Sequence, residues 1–131
     1  DGVAEGVIRA DYEDEPCQIR MDFYSSRFGI IDLKTCDDLR WFENDFKRYG
    51  YGYQLAFYRA VLRQCCGKNR PCYVIAVEKR EPFRCGVWRI TEEALDLAEM
   101  ENKAAIKRLH KCRFTNNWPT GFEELRFITN I

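Results

Sequence analysis

The 131-residue sequence has no long hydrophobic run. Its longest unbroken apolar stretch is Cys72 to Val77, far short of the roughly 20 residues a membrane helix needs. No signal peptide is visible either, because the first residues alternate charge with small apolar groups. Charge of one sign is also missing: 21 Lys plus Arg stand against 21 Asp plus Glu, a net charge of zero. No overall basic field therefore advertises nucleic acid, although a local basic groove beside an acidic metal site stays open. There is one histidine, and the seven cysteines form neither a Cys-x-x-Cys pair nor a Cys/His ladder. They are read as small hydrophobes in a reduced, cytoplasmic protein rather than as zinc or iron–sulfur ligands. Repeats, linkers and low-complexity segments are absent. The chain opens at Asp1 rather than Met and is read as part of something longer.

What is present suits one globular domain. Hydrophobic residues make up 46% and charged residues 32%, with 3 Trp, 7 Tyr and 9 Phe. A chain of this size buries roughly two thirds of its unfolded surface, so no disulfide or metal staple is required.

The pattern predicts three strands, two helices, two strands and a helix. A β-like run at Val7–Ala10 ends in the acidic turn Asp11–Pro16. Cys17 to Tyr24 alternates strictly, with Cys17, Ile19, Met21 and Phe23 on one side, which marks a half-buried strand. Ser25-Ser26-Arg27 turns the chain into a strand over Phe28–Cys36, completing an antiparallel meander. Leu39, Phe42, Phe46 and Tyr49 recur at helical spacing behind Asp37 or Asp38 as cap. Gly50 and Gly52 break that helix, and a second runs from about Tyr53 to Cys66, stopped by Gly67. Cys72–Glu78 and Arg84–Ile90 read as a later strand pair. Thr91 caps the last helix, whose end gathers Lys107, Arg108, Lys111 and Arg113. Residues 114–131 read as a partly irregular tail. The class is α/β (α+β), a mixed central sheet flanked by helices.

The chemistry concentrates in Ile31-Asp32-Leu33-Lys34-Thr35. On a strand, Asp32 and Lys34 share a face while Leu33 turns to the core. Taken alone, Asp-x-Lys is common on strands and reads as a solvated outer face or a simple ion pair, worth under about 1 kcal/mol if exposed. Asp22 shifts the balance, because pairing around Ser25-Ser26 brings it alongside Asp32. Two carboxylates on adjacent strands make a hard oxygen site for Mg²⁺ or Mn²⁺. A lysine beside them can hold an attacking water and stabilise developing phosphate charge. Gln54 and Tyr58, four apart, share one helix face, and Gln54 can reach that site or a phosphate. By composition alone, Tyr58 reads as core and Gln54 as merely amphipathic. Arg59 and Arg63 lie on a second face at the same spacing, open to DNA phosphates or simply solvated. His110 is read as a surface residue.

These residues, in this order, resemble the PD-(D/E)xK nucleases. Met21-Asp22, Ile31-Asp32-Leu33-Lys34-Thr35 and Tyr53-Gln54-Leu55-Ala56-Phe57-Tyr58 are similar in order and spacing to the signature of that superfamily followed by a Q-x-x-x-Y helix. The nuclease domain of the phage-type exodeoxyribonuclease VIII group is the nearest resemblance, from roughly Ile8 to Pro119. Met21 stands where the motif has proline. The resemblance implies a restriction-endonuclease-like core and Mg²⁺-dependent hydrolysis of linear duplex DNA from the 5′ side, with Mn²⁺ as substitute. It implies that Asp22, Asp32 and the Leu33 carbonyl hold metal, that Lys34 positions the water, and that Gln54 and Tyr58 hold the site and the strand. Thr35 and Arg59 are assigned to DNA contact. A ring-like homo-oligomer and a single-strand annealing protein are the implied partners, in phage-type recombination. Family members also carry an upstream helical segment that gives the metal site a His or Glu. Residues 1–131 are read as one nuclease-like domain without that segment, Glu5 being the only nearby carboxylate before the strand. Two readings compete: a catalytically inactive nuclease-fold module that binds DNA ends or mediates oligomerisation, and an unrelated α/β domain with a surface Asp–Lys pair.

Overall fold

The computed structural model describes residues 1–131. Strands β1 (Val3–Tyr12), β2 (Glu15–Ser25) and β3 (Gly29–Cys36) come first. A 3₁₀ turn (Leu39–Trp41) leads into helices α1 (Phe42–Arg48) and α2 (Tyr51–Cys66). Strands β4 (Cys72–Glu78) and β5 (Cys85–Arg89) precede helix α3 (Glu92–Thr115). The five strands form one sheet in sequence order. Every pair is antiparallel except β3 with β4. A parallel pair needs a crossover, and α1 with α2 supply it.

Local chemistry explains the turns. The β1–β2 hairpin closes through Glu13 and Asp14, both at positive φ (51° and 61°), as a two-residue turn matched to strand twist requires. Gly29, at φ 110°, opens β3 where a Cβ would lie 2.3 Å from the Pro71 carbonyl oxygen. That oxygen accepts the Ile30 N–H at 2.9 Å, so the close approach starts the β3–β4 register. Gly50, at φ 68°, separates α1 from α2 and makes Tyr51 the first residue of the second helix. The Thr91 side chain caps α3 by accepting the Ala94 N–H at 3.2 Å, and Glu92 and Glu93 complement its dipole.

The core lies on one face of the sheet. Ile30, Cys72, Val74 and Ala76 meet Leu55, Ala56, Ala60 and Val61 of α2, all fully buried. Phe42 closes one end, its ring centroid 4.6 Å from that of Trp88. The opposite face carries Phe28, Ile31, Tyr73, Ile75 and Val87 around an apolar depression of about 210 Å³. Leu33 (59% exposed) belongs to it, not to the core. Strand alternation separates the two faces, but α2 covers the one bearing Asp32 and Lys34, so the expected orientation of β3 is inverted. The helices accordingly flank the mixed sheet on that face. No helix is long and apolar enough to cross a membrane. Residues 117–131 carry no helix or strand and are exposed throughout.

Candidate active site

The site forms where β2 and β3 part. Their pairing ends at Phe23 opposite Ile31, so Asp22 and Asp32 are the next facing residues. Here the alternation of β2 lapses, and Asp22, Phe23 and Tyr24 are all half-buried. With no β2 backbone partner, the Leu33 N–H donates instead to Asp22 Oδ2 at 2.7 Å. The carboxylate thus completes the ladder and is held by it.

Asp32 is the buried member, 2% exposed. Burial pushes its carboxyl above the usual carboxylate range; the Lys34 ammonium opposes that shift and the Asp22 carboxylate adds to it. Its Oδ2 lies 2.7 Å from Lys34 Nζ, yet this buried oxygen makes no well-directed hydrogen bond. Lys34 Nζ donates to Gln54 Oε1 at 2.9 Å, and the Gln54 amide donates to the Tyr58 hydroxyl at 3.0 Å. Helical spacing explains this chain, since Gln54 and Tyr58 are one turn apart on α2. The Lys34 ammonium also sits 4.4 Å from the Tyr51 ring centroid. The sequence reading missed Tyr51; its signal was the three-residue offset from Gln54, which puts both on one helix face.

An underused, buried carboxylate oxygen beside a second carboxylate is what a divalent cation would satisfy. Asp22 and Asp32 fit such an ion with hard oxygen donors. No group of three or more His, Cys, Asp or Glu assembles anywhere, so the other donors would be backbone carbonyls such as that of Leu33, water and substrate oxygens. Thr35 is exposed at the rim of a cavity of about 220 Å³ lined also by Asp37, Asp45, Tyr49, Tyr51 and Lys79.

Arg59 corrects the sequence reading. Its side chain is fully buried, donating to Glu92 at 2.8 Å and to Asp96 at 2.7 Å on α3. Arg63 likewise binds Glu99. Both arginines tie α2 to α3, and Arg59, fully buried, presents nothing to a phosphate. His110 lies at the surface beside Glu15, 2.9 Å away.

No curated protein matches the chain. Among solved structures, it is similar to a "Putative exonuclease" from Eubacterium rectale, with a TM-score of 0.77 and 18% identity. The match covers 98% of this chain but only 55% of that one. That likeness establishes the fold. The family described as "PDDEXK-like domain of unknown function (DUF3799)" matches residues 1–130. With Asp22, Asp32 and Lys34 gathered where β2 and β3 diverge, and with nearly the whole length matched, the chain belongs to this PDDEXK-like family of the PD-(D/E)xK nuclease superfamily.

Proposed function

We propose that this domain hydrolyses DNA phosphodiester bonds with Mg²⁺, digesting linear duplex DNA from the 5′ side in phage-type recombination. The observation that carries the reading is the contact between Asp32 Oδ2 and Lys34 Nζ at 2.7 Å, with Asp22 alongside. Mg²⁺, or Mn²⁺ in its place, would supply Lewis-acid polarisation of the phosphate and lower the pKa of a bound water. Asp22 and Asp32 would hold it, with the Leu33 carbonyl. The chain's own task is then positional. Lys34 places its ammonium where the attacking water and the charged phosphate oxygens meet, and Gln54 fixes that ammonium from α2. Tyr58 orients Gln54, and Thr35 at the rim contacts the strand. A cytoplasmic homo-oligomer working with a single-strand annealing protein completes the proposal.

The test is incubation with 5′-end-labelled linear duplex and with covalently closed circles, in Mg²⁺ and in Mn²⁺, beside Lys34→Ala. Degradation of the linear form alone, lost in the variant, supports an end-dependent exonuclease. Cleaved circles would replace it with an endonuclease. A folded protein that binds no Mn²⁺ and cleaves nothing would select the inactive module.

A further inference from the structure

We infer that Tyr51 is a positioning residue that holds the Lys34 ammonium through the face of its ring, an inference resting on the nuclease reading above. Three groups surround Lys34 Nζ: the Asp32 carboxylate at 2.7 Å, the Gln54 carbonyl oxygen at 2.9 Å and the Tyr51 ring at 4.4 Å. A ring face attracts a cation electrostatically, most strongly when the pair is shielded from water, and the Lys34 side chain is only 16% exposed. The three contacts differ in kind. Asp32 is one of the two carboxylates that would hold a divalent cation, and shared with one it would offer Lys34 less counter-charge. The Gln54 carbonyl and the Tyr51 ring are neutral partners that grip the ammonium from α2.

Lysine needs that grip because its four-carbon stem is flexible. A displacement of about 1 Å in a catalytic group can cost roughly a hundredfold in rate. Tyr51 is well placed to prevent it. Gly50 in the left-handed conformation starts α2 at Tyr51, and Gln54 follows one turn later, so two side chains on one helix face close on one ammonium. The ring is itself fixed by Phe46 at 6.1 Å, edge-on, by Tyr49 at 5.8 Å and by Phe42 at 6.4 Å between centroids. Its hydroxyl makes no hydrogen bond within the chain, so the ring and not the oxygen carries the role.

The experiment compares Tyr51→Phe, Tyr51→Leu and a series of fluorinated phenylalanines at position 51. These analogues keep the shape of Phe while draining the negative potential of its face. On linear duplex DNA with Mg²⁺, Tyr51→Leu should lose roughly tenfold or more in kcat, with KM within a factor of two, and Tyr51→Phe should restore the rate. The fluorinated series should lower log kcat in proportion to fluorine count. A second readout needs no turnover: pulse acylation by acetic anhydride, followed by mass spectrometry, with the 59% exposed Lys79 as internal reference. Lys34 should be protected in the parent and in Tyr51→Phe, and several-fold more reactive in Tyr51→Leu and the fully fluorinated form. Unchanged Lys34 labelling and kcat across the fluorinated series would overturn the inference even if Tyr51→Leu failed to fold. A parent protein inactive on every DNA would sink the nuclease reading alone, because the labelling still decides what holds Lys34.

Discussion

Asp22 Oδ2 accepts the Leu33 backbone N–H at 2.7 Å, so a side chain of β2 stands in for the strand bond that β3 has lost. The same contact fixes the separation of the two carboxylate-bearing strands. One oxygen of Asp22 thereby holds the fold, and the metal role proposed above falls to the other.

Asp22→Asn and Asp22→Ala should therefore separate structure from chemistry. Asparagine keeps an acceptor for Leu33 and should leave urea stability nearly unchanged, whereas alanine should cost about 1 kcal/mol. Both remove the charge, so both should lose Mn²⁺ binding in calorimetric titration and cleavage with it. Retained Mn²⁺ affinity in Asp22→Asn would remove Asp22 from the metal set.

The relay from Lys34 to Tyr58 predicts a graded series. Gln54→Ala removes the acceptor for Lys34 and should slow turnover by about 10–100-fold, the usual range for a group that orients another ligand. Tyr58→Phe leaves that acceptor in place and removes only the far end of the relay. Its effect should be smaller than that of Gln54→Ala, and equal losses in single-turnover rates would contradict the relay.

Arg59 predicts a stability effect with no matching DNA effect. Arg59→Ala removes two of the charge-assisted contacts between α2 and α3 and should cost about 2–5 kcal/mol, the range for emptying a buried site. Arg59→Met fills the same space without a charge and should recover most of that stability. Below the melting transition, DNA affinity of the methionine variant should equal that of the parent in fluorescence anisotropy. A selective loss of DNA affinity would restore the arginine to the interface.

Much of the fold was legible because local signals agreed. Cys72–Glu78, bounded by Pro71 and the Glu81-Pro82 turn, is a strand with the expected limits, and Thr91 caps α3 as its sequence context implies. Folding the chain near Ser25-Ser26 brings Asp22 alongside Asp32 from the sequence; the register itself is centred on Arg27, with Ser25 opposite Gly29 and Phe23 opposite Ile31. The orientation of Leu33 was not legible, because Ile30 and Ile31 put apolar residues on both faces of β3 and periodicity cannot say which face α2 covers. The burial of Arg59 depends on Glu92 and Asp96, more than thirty positions downstream, so its helix face read as solvated. Tyr51 was hidden for another reason: Gly52 reads as a breaker and puts the expected helix start at about Tyr53, whereas α2 begins at Tyr51. The three-residue offset from Gln54 therefore went unread.

The tail predicts its own dispensability for folding. Phe122, Leu125 and Phe127 are each more than 70% exposed, and the tail's side-chain hydrogen bonds run among Thr120, Gly121, Phe122, Glu123 and Arg126. Brief chymotrypsin treatment should nick there first, and a chain ending at Asn117 should melt within about one degree of the parent, as expected of a segment with few buried contacts. A large drop in Tm would show that the tail packs on the domain.

Glu78 contributes to the acid sensitivity of the fold. At the end of β4, its carboxylate accepts Arg84 Nε and Nη2, each at 2.7 Å, and the Leu39 N–H at 3.0 Å. One side chain thereby joins the β4–β5 hairpin to the turn that leads into α1. The Arg84 guanidinium, and then the Leu39 N–H, hold its carboxyl down to about 2 from an ordinary value of 4.5. Since the folded value lies below the unfolded one, the unfolded chain takes up the proton first as pH falls. The stability Glu78 contributes is therefore complete above about pH 4.5 and is lost progressively as pH falls toward 2. Glu78→Gln cannot titrate, and its amide group opposes Arg84. In urea unfolding at pH 7 the variant should be clearly less stable than the parent, and at pH 3 the gap should narrow. Carboxylates away from this cluster titrate alike in both proteins and cancel in the difference, while Asp38, 3.6 Å from Arg84, shares in the change. A gap of equal size at both pH values would mean that Glu78 acts by packing alone, and that its charge does nothing to hold the α1 segment against the sheet.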